Sequence, residues 1–405
     1  MRVSRITTFR VFTAFIALIL ALSLAGCGGG ATGTGGGAGQ DGGGSIKVGL
    51  NAELSGGVAS YGQSFVKGAE MAAEKINAEG GLLGGRKIEL VKADNKSDAA
   101  ESTNAALKLM TQDNVVAIIG AATSGNTMAM IELANENQIP VIAPTATNPG
   151  VTVDPETGET HEFMFRVCFI DPFQGEAAAK FALEELKVKR AAVFIDSSSD
   201  YAKGLAEAFK EAFTAGGGEI VAEESYVQKD TDFKSQLTRI KGADPDFLFI
   251  PGYYEEVGLI IKQAREDVGL DIPMMGGDGW DSPRMVELAG AANLNNTFFT
   301  NHYSSEDPDP EIQAFVKEFQ EKYGEVPDGF AALGYDAMLL LADAIKRAGD
   351  ADPVKIKDAL AQTKDLRVVT GTISIDDKHN PIKAAAVIEF KDGKQVFRTK
   401  VDPNS

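Results

Sequence analysis

Four short polar residues, set in turns rich in glycine or threonine, carry the legible chemistry of this chain. Ser124 lies in "IGAATSGNT", Thr145 and Thr147 in "APTATNPG", and Asp278 in "GGDGWDS". Each turn follows an apolar, β-rich run, and in open α/β sheets ligands bind at the carboxyl ends of strands. Ser124, at the start of a helix with exposed backbone N–H groups, suits a carboxylate, and the two threonines fall beside it. An unpaired Asp278 suits an ammonium group. Taken singly, the same residues serve equally well as helix caps and turn punctuation.

The groups that catalysis or metal binding would require do not assemble. His161, His302 and His379 are far apart, have no second His or Cys at ligand spacing, and read as surface or loop residues, so no metal and no cofactor is expected. Cys168 sits inside an apolar strand, where a thiol is an inert packing group. No serine lies in a GxSxG elbow. "GGLLGGRK" from Gly80 lacks the closing Lys-Ser/Thr of a phosphate loop and follows a helix. The formal GxGxxG at Gly37 to Gly42 has no strand before it and no amphipathic helix after it. Without a nucleophile, base and orienter as a set, the chain reads as a binding protein and not an enzyme.

The elements that must position the four residues are βα units. Short β-rich runs recur with helical segments between them: "IKVGLNA" from Ile46, "KIELVKAD" from Lys87, "VVAIIG" from Val115 and "PVIAPTA" from Pro140. Phe65, Ala69, Ala72 and Ile76 share one helical face, closed by "NAEGG". A second series runs "FMFRVCF" from Phe163, "AAVFID" from Ala191, "EIVAEESY" from Glu219, "FLFIPG" from Phe247 and "PMMGGD" from Pro273. Between the series, Asp171-Pro172-Phe173-Gln174 predicts a helix start with Asp171 as N-cap and Gln174 completing a capping box. "FFTNHY" from Phe298, helices near 310–323 and 334–348, and closing strands "GTISID" and "AVIEFKDG" complete the chain. The fold class is α/β: two doubly wound parallel-sheet lobes.

Arg2, Arg5 and Arg10 precede an apolar run from about Val11 to Ala25, too short to span a bilayer and shaped like a secretion signal. Leu24-Ala25-Gly26-Cys27 resembles the lipobox of bacterial lipoproteins, which implies diacylation of Cys27 and cleavage before it; two acyl chains anchor stably where one does not. The glycine-rich stretch from 28 to 44 is a tether with a reach of roughly 20 to 25 Å. Removing residues 1–26 takes away three arginines and no acid, so the formal charge moves from −19 to −22. Such a body repels nucleic acid and anionic lipid. Once Cys27 is acylated, Cys168 has no partner for an intramolecular disulfide.

Six motifs in order, "LSGGVASYG", "KINAEGGLLGGRKIELVKAD", "IGAATSGNT", "APTATNPG", "DPFQG" and "GGDGWDS", closely resemble the leucine/isoleucine/valine-binding proteins of ABC transporters. The resemblance implies a type I periplasmic binding protein fold, with two lobes joined by three crossings near 168, 298 and 371 and an amino acid clamped in the cleft between them. It divides the chain into 1–26 (signal peptide), 27–44 (acylated cysteine and tether), 45–168 with 299–371 (first lobe), and 169–298 with 372–405 (second lobe). By resemblance, Ser124 and Thr147 hold the ligand α-carboxylate with nearby backbone N–H groups, Ala146 lying between the two threonines. Thr147 and the Thr145 carbonyl meet the ammonium, and Asp278 supplies the counter-charge. Tyr61, Ala122, Thr123, Tyr201, Tyr253 and Phe330 match side-chain-selecting positions, and Trp280 is a further contact at the cleft mouth. Ser97 and Thr123 stand where some relatives carry a disulfide, and Asp278 where a glutamate is also found.

The expected protein is therefore a monomeric, extracytoplasmic receptor, lipid-anchored to the bacterial cell membrane. It binds a free α-amino acid, aliphatic or branched-chain, and delivers it to an ABC permease. A same-fold receptor for amides, urea or another small polar metabolite, and a ligand sensor, are the alternatives. A neutral amide offers Asp278 no ammonium.

Overall fold

The computed structural model describes residues 44–402. The expected signal peptide, Cys27 and nearly all of the tether lie outside the described residues.

The first lobe opens with nine alternating elements. They are β1 (Ile46–Ala52), α1 (Ala59–Ala78), β2 (Ile88–Asp94), α2 (Ala99–Thr111), β3 (Ala117–Gly120), α3 (Ser124–Met128), α4 (Ile131–Asn137), β4 (Val141–Ala143) and β5 (Met164–Arg166). The strands form a parallel sheet in the order β2-β1-β3-β4-β5. Every residue of β3, β4 and β5 is buried, as strands covered on both faces require, and apart from Arg166 at the end of β5 their sequences run apolar and do not alternate. The strand order reverses between β1 and β3, so the carboxyl ends of these two strands open onto a crevice.

The second lobe repeats the scheme with α5 (Asp171–Glu184), β6 (Arg190–Asp196), α6 (Asp200–Ala215), β7 (Glu219–Tyr226), α7 (Lys234–Gly242), β8 (Phe247–Phe249), α8 (Tyr254–Gln263), β9 (Met274–Gly276), α9 (Arg284–Ala289) and β10 (Thr297–Asn301). The chain then returns to the first lobe with α10 (Pro310–Tyr323), α11 (Gly329–Ala348), α12 (Pro353–Ala361) and a two-stranded ribbon, β11 (Leu366–Val368) and β12 (Gly371–Ile373). It ends in the second lobe as β13 (Ala385–Lys391) and β14 (Lys394–Val401), antiparallel additions to a sheet ordered β14-β13-β10-β9-β8-β6-β7. Here the order reverses between β6 and β8, giving a second crevice.

Several boundaries differ from the sequence expectation. The helix expected to begin with Asp171 as N-cap has Asp171 as its first residue, and the Asp171 side chain makes no capping bond because it is buried. Gln174 turns away from the backbone and reaches Asp278. β10 continues the second sheet through Asn301, paired with β9 and β13, so the chain leaves that lobe three residues later than 298. The helix expected from Gly334 starts at Gly329, capped by the Asp328 carboxylate on Ala331 N–H. "GTISID" contributes to the small ribbon and, through Ile375, to an isolated antiparallel bridge with Pro381, and not to either main sheet.

Two features bring site residues together. α1 and α11 approach at paired glycines: a side chain at Gly68 would collide with the Ala331 carbonyl, and one at Gly334 with the Phe65 carbonyl. That closeness stacks Tyr61 on Phe330 at 4.1 Å between ring centroids. The crossings between lobes also touch one another. Buried Lys383, just before β13, donates to Val167 O after β5 at 3.0 Å and to Thr370 Oγ1 after β11. Asp336 on α11 accepts from the N–H groups of Val369 and Thr370. Phe169 stacks on His302 at 3.8 Å.

Candidate functional site

A narrow pocket lies where the two crevices face each other. From the first lobe it is lined by Ala122, Thr123 and Ser124 after β3, Thr145 after β4, Tyr61 on α1 and Phe330 on α11. From the second it is lined by Tyr201 on α6, Tyr253 before α8, and Asp278 and Gly279 after β9. Nine of the twelve expected ligand contacts thus share one wall surface. Ala146 and Thr147 are buried immediately behind it. Trp280 is fully buried and donates its indole N–H to Ile250 O at 3.1 Å, packed beneath Gly276. It is a core residue of the second lobe and does not cover the cleft mouth, because the turn after β9 points its ring back into the sheet.

On the first-lobe side, the polar loops are tied together by their own residues. The Ser124 hydroxyl accepts from Asn148 N–H at 3.2 Å, joining the loop after β3 to the loop after β4. Thr145 Oγ1 donates to Ala122 O at 2.7 Å. Thr147 Oγ1 is buried beside the Asp171 carboxylate and makes no well-formed hydrogen bond among the described residues. Behind this loop, fully buried Arg166 donates to Ala146 O (2.7 Å), Asn148 O (2.9 Å) and Thr152 Oγ1 (3.1 Å). Buried Glu53, directly after β1, accepts from the N–H groups of Ala122 (3.0 Å) and Thr123 (3.2 Å) and from Asn126 Nδ2 (2.8 Å). The protein therefore spends part of the donor field at the start of α3 on its own carboxylate, leaving the Ser124 end toward the cavity.

On the second-lobe side, Asp278 is gripped from three elements. Oδ1 accepts from Gln174 Nε2 on α5 (2.8 Å) and Tyr201 OH on α6 (2.9 Å), and Oδ2 lies 3.0 Å from His302 Nε2 after β10. Tyr201 OH in turn accepts from Gly279 N–H at 3.2 Å. Burial, then the neighbouring Asp278, push the Tyr201 phenol well above its ordinary value, so it stays a donor. Burial moves His302 the other way, below its ordinary value, so the ring is neutral near pH 7. The aromatic wall is continuous: Tyr201 stacks on Tyr253 at 5.3 Å, and Tyr253 meets Tyr61 edge-on at 5.8 Å.

His302, read from sequence as a surface or loop residue, is therefore part of the site's support, and Gln174, Arg166 and Glu53 were not singled out as such. The signal for His302 and Gln174 is positional: each stands at the end of an element adjoining an expected crossing. Arg166 and Glu53 are charges at the carboxyl ends of strands whose neighbours are apolar, a pattern that demands buried partners.

The lobes also meet directly. Ser60 Oγ lies 2.9 Å from Ser282 Oγ, Tyr254 OH donates to Gly57 O at 3.1 Å, and Tyr61 OH donates to Gly279 O. Asp281 of the second lobe accepts the first amide of α11, Gly329 N–H, at 2.7 Å, where the helix dipole favours a carboxylate. Desolvation in this seam, then the nearby Asp281, push partly exposed Asp328 up to about 7. A folded-state acid pKa raised above the ordinary value of 3.8 destabilises the closed protein in full above about 7, and the penalty shrinks steadily as pH falls from there toward the ordinary value. Asp328→Asn keeps a helix-capping oxygen, so it is expected to raise the melting temperature most at pH 8, less at pH 5, and hardly at all near pH 4. A scanning calorimetry series across that range checks the sign.

Chemically, the arrangement offers hydroxyls and the amide end of a helix on one side, a carboxylate on the other, and aromatic walls between. That is a bracket for a small zwitterion with an apolar body. Among the described residues no group of three His, Cys, Asp or Glu side chains could hold a metal ion, and no helix is long and apolar enough to cross a membrane.

The family model described as "Periplasmic binding protein" matches residues 45–395. A Leu/Ile/Val-binding protein, BraC3, from Rhizobium johnstonii is 33% identical over 331 residues, covering 81% of this chain and 87% of that one. Among solved structures, the branched-chain amino acid transporter substrate binding protein LivJ from Streptococcus pneumoniae, in complex with isoleucine, is 40% identical. That match covers 88% of this chain and 99% of that chain, with a TM-score of 0.81. The leucine binding protein LivK from Thermotoga maritima is 36% identical with a TM-score of 0.83, covering 89% and 99%.

Proposed function

We propose, from the premise that this chain belongs to the periplasmic binding protein family, that it is an extracytoplasmic substrate-binding protein of an ABC transporter for branched-chain amino acids. The observation that carries this reading is the pairing across one pocket of Asp278 with Ser124 and Thr145, inside a wall of Tyr61, Tyr253 and Phe330. In this reading the ligand carboxylate lies against Ser124 and the loop that ends in Thr147, whose buried hydroxyl makes no well-formed bond among the described residues. The ammonium sits between the Thr145 carbonyl and Asp278, and the aliphatic side chain lies against the rings. Since the two charged ends of the ligand touch opposite lobes, occupancy favours closure by its differential affinity for the closed state.

The test is calorimetric titration of protein unfolded and refolded to strip carried ligand, against leucine, isoleucine, valine, alanine and acetamide. Saturable binding of the branched ligands with acetamide silent supports the reading. Acetamide binding with amino acids silent makes an amide receptor the better one.

The finer proposal is that Cys27 is diacylated, and that the tether holds the receptor near its permease. Cys27→Ser is expected to move the protein from the membrane to the aqueous fraction with leucine affinity unchanged, since two acyl chains supply the anchor and the substitution leaves every pocket-lining residue in place. Cell fractionation with titration of the released protein checks both halves.

A further inference from the structure

Asp278 has a carboxylate with four acceptor positions, and three are occupied by the protein itself. Two of the donors, Gln174 and Tyr201, come from helices of the second lobe and share Oδ1. The third is different in origin. His302 Nε2 holds Oδ2 from the segment where the chain leaves β10 to return to the first lobe, one of three crossings. Its side chain is buried, and its ring stacks at 3.8 Å on Phe169 of another crossing. The backbone N–H of His302 donates to Asn301 Oδ1 at 2.7 Å, and Asn301 Nδ2 donates to Asp281, which receives α11 of the first lobe. The ring that touches the acid thus packs between two of the segments that connect the lobes.

We propose that His302 is a positioning residue that makes the receptor select for an ammonium group: by donating to Oδ2, it fixes the Asp278 carboxylate so that its remaining acceptor position faces the cavity when the lobes close. This inference rests on the amino acid reading given above. Lose the Nε2 donor, and Asp278 is free to rotate about its side-chain bonds within the grip of Oδ1 alone. The acid then remains present but is no longer aimed. Ligands that depend on the ammonium contact lose most, and those that lack it lose least, because specificity is a difference of affinities.

Two variants separate orientation from packing. His302→Phe keeps a ring of similar shape for Phe169 to stack on and removes the donor. His302→Gln loses the ring but places an amide N–H near the Nε2 position. His302 also lines a second pocket, and its Nδ1 has no hydrogen-bond partner among the described residues, so neither substitution breaks a second bond of the ring. The probes are leucine and its 2-hydroxy analogue, which differ in the ammonium alone, titrated calorimetrically into each purified protein at pH 7.5.

The expected result is that His302→Phe lowers the preference for leucine over the hydroxy acid by about tenfold, the scale of one hydrogen bond to a charged group, and that His302→Gln restores most of it. A preference unchanged in His302→Phe while wild type prefers leucine would overturn the positioning role and leave the amino acid reading standing. Equal loss for both probes, not rescued by Gln, would assign His302 to packing and overturn it too. Wild type that binds neither probe would remove the amino acid reading and this inference with it.

Discussion

Asp278→Ala is expected to weaken leucine binding by about a thousandfold, roughly 4 kcal/mol, while the protein still folds. The size follows from what closure does. A ligand ammonium in the cavity is cut off from water, and its one acidic neighbour among the cavity-lining residues is Asp278. Removing a single partner of a buried ion pair leaves the other charge uncompensated, which costs far more than the pair contributes over a neutral substitute. The protein tolerates the change better than the ligand does, because Gln174, Tyr201 and His302 are uncharged donors, and water can enter the space left by the side chain. Asp278→Asn discriminates further: it keeps the shape and loses the charge, so it should lose affinity for leucine by a similar factor. Titration of both variants, with circular dichroism to confirm folding, checks the assignment; an affinity within tenfold of wild type would remove Asp278 from the site.

Most of the fold and much of the cavity wall were legible in sequence because both follow from local patterns. Continuous apolar runs such as "VVAIIG" and "FLFIPG" had to be strands covered on two faces. The turns after them had to carry whatever chemistry exists, and Ser124, Thr145, Tyr253 and Asp278 all line the cavity. What stayed hidden depends on side chains from distant elements meeting in three dimensions. Gln174 fits a capping box by spacing, yet burial of the helix start frees it to reach a residue 104 positions away. His302 has no partner at any spacing a motif would register, since its contacts, Asp278 and Phe169, come from other elements of the second lobe and from another crossing. Trp280 failed in the opposite direction: two residues from Asp278 in sequence, it lies on the other side of a tight turn, where a large ring packs in the core.

The second large effect is expected at a residue that does not line the cavity. Arg166→Lys should destabilise folding by about 3 kcal/mol and lower leucine affinity at least about tenfold, because a lysine cannot reproduce the guanidinium fork. In the native protein the fork holds the Ala146 and Asn148 carbonyls and the Thr152 hydroxyl at once, from a fully buried position. An ammonium at the end of a narrower stem satisfies at most part of that set, and each buried carbonyl left unpaired costs about 1–3 kcal/mol. Nearby Asp171 does not rescue the variant as a counter-ion, since burial pushes its carboxyl well above the usual carboxylate range. The affinity loss follows from the same bonds. Ala146 and Asn148 flank Thr147, and the Asn148 N–H is what ties this loop to Ser124, so a loop released from Arg166 displaces both hydroxyls expected to meet the ligand carboxylate. Urea unfolding measures the first effect and titration of the folded variant the second. A stability loss with affinity intact would mean that the loop keeps its course without the arginine, through the Thr145 bond to Ala122 and the Ser124 bond to Asn148 alone.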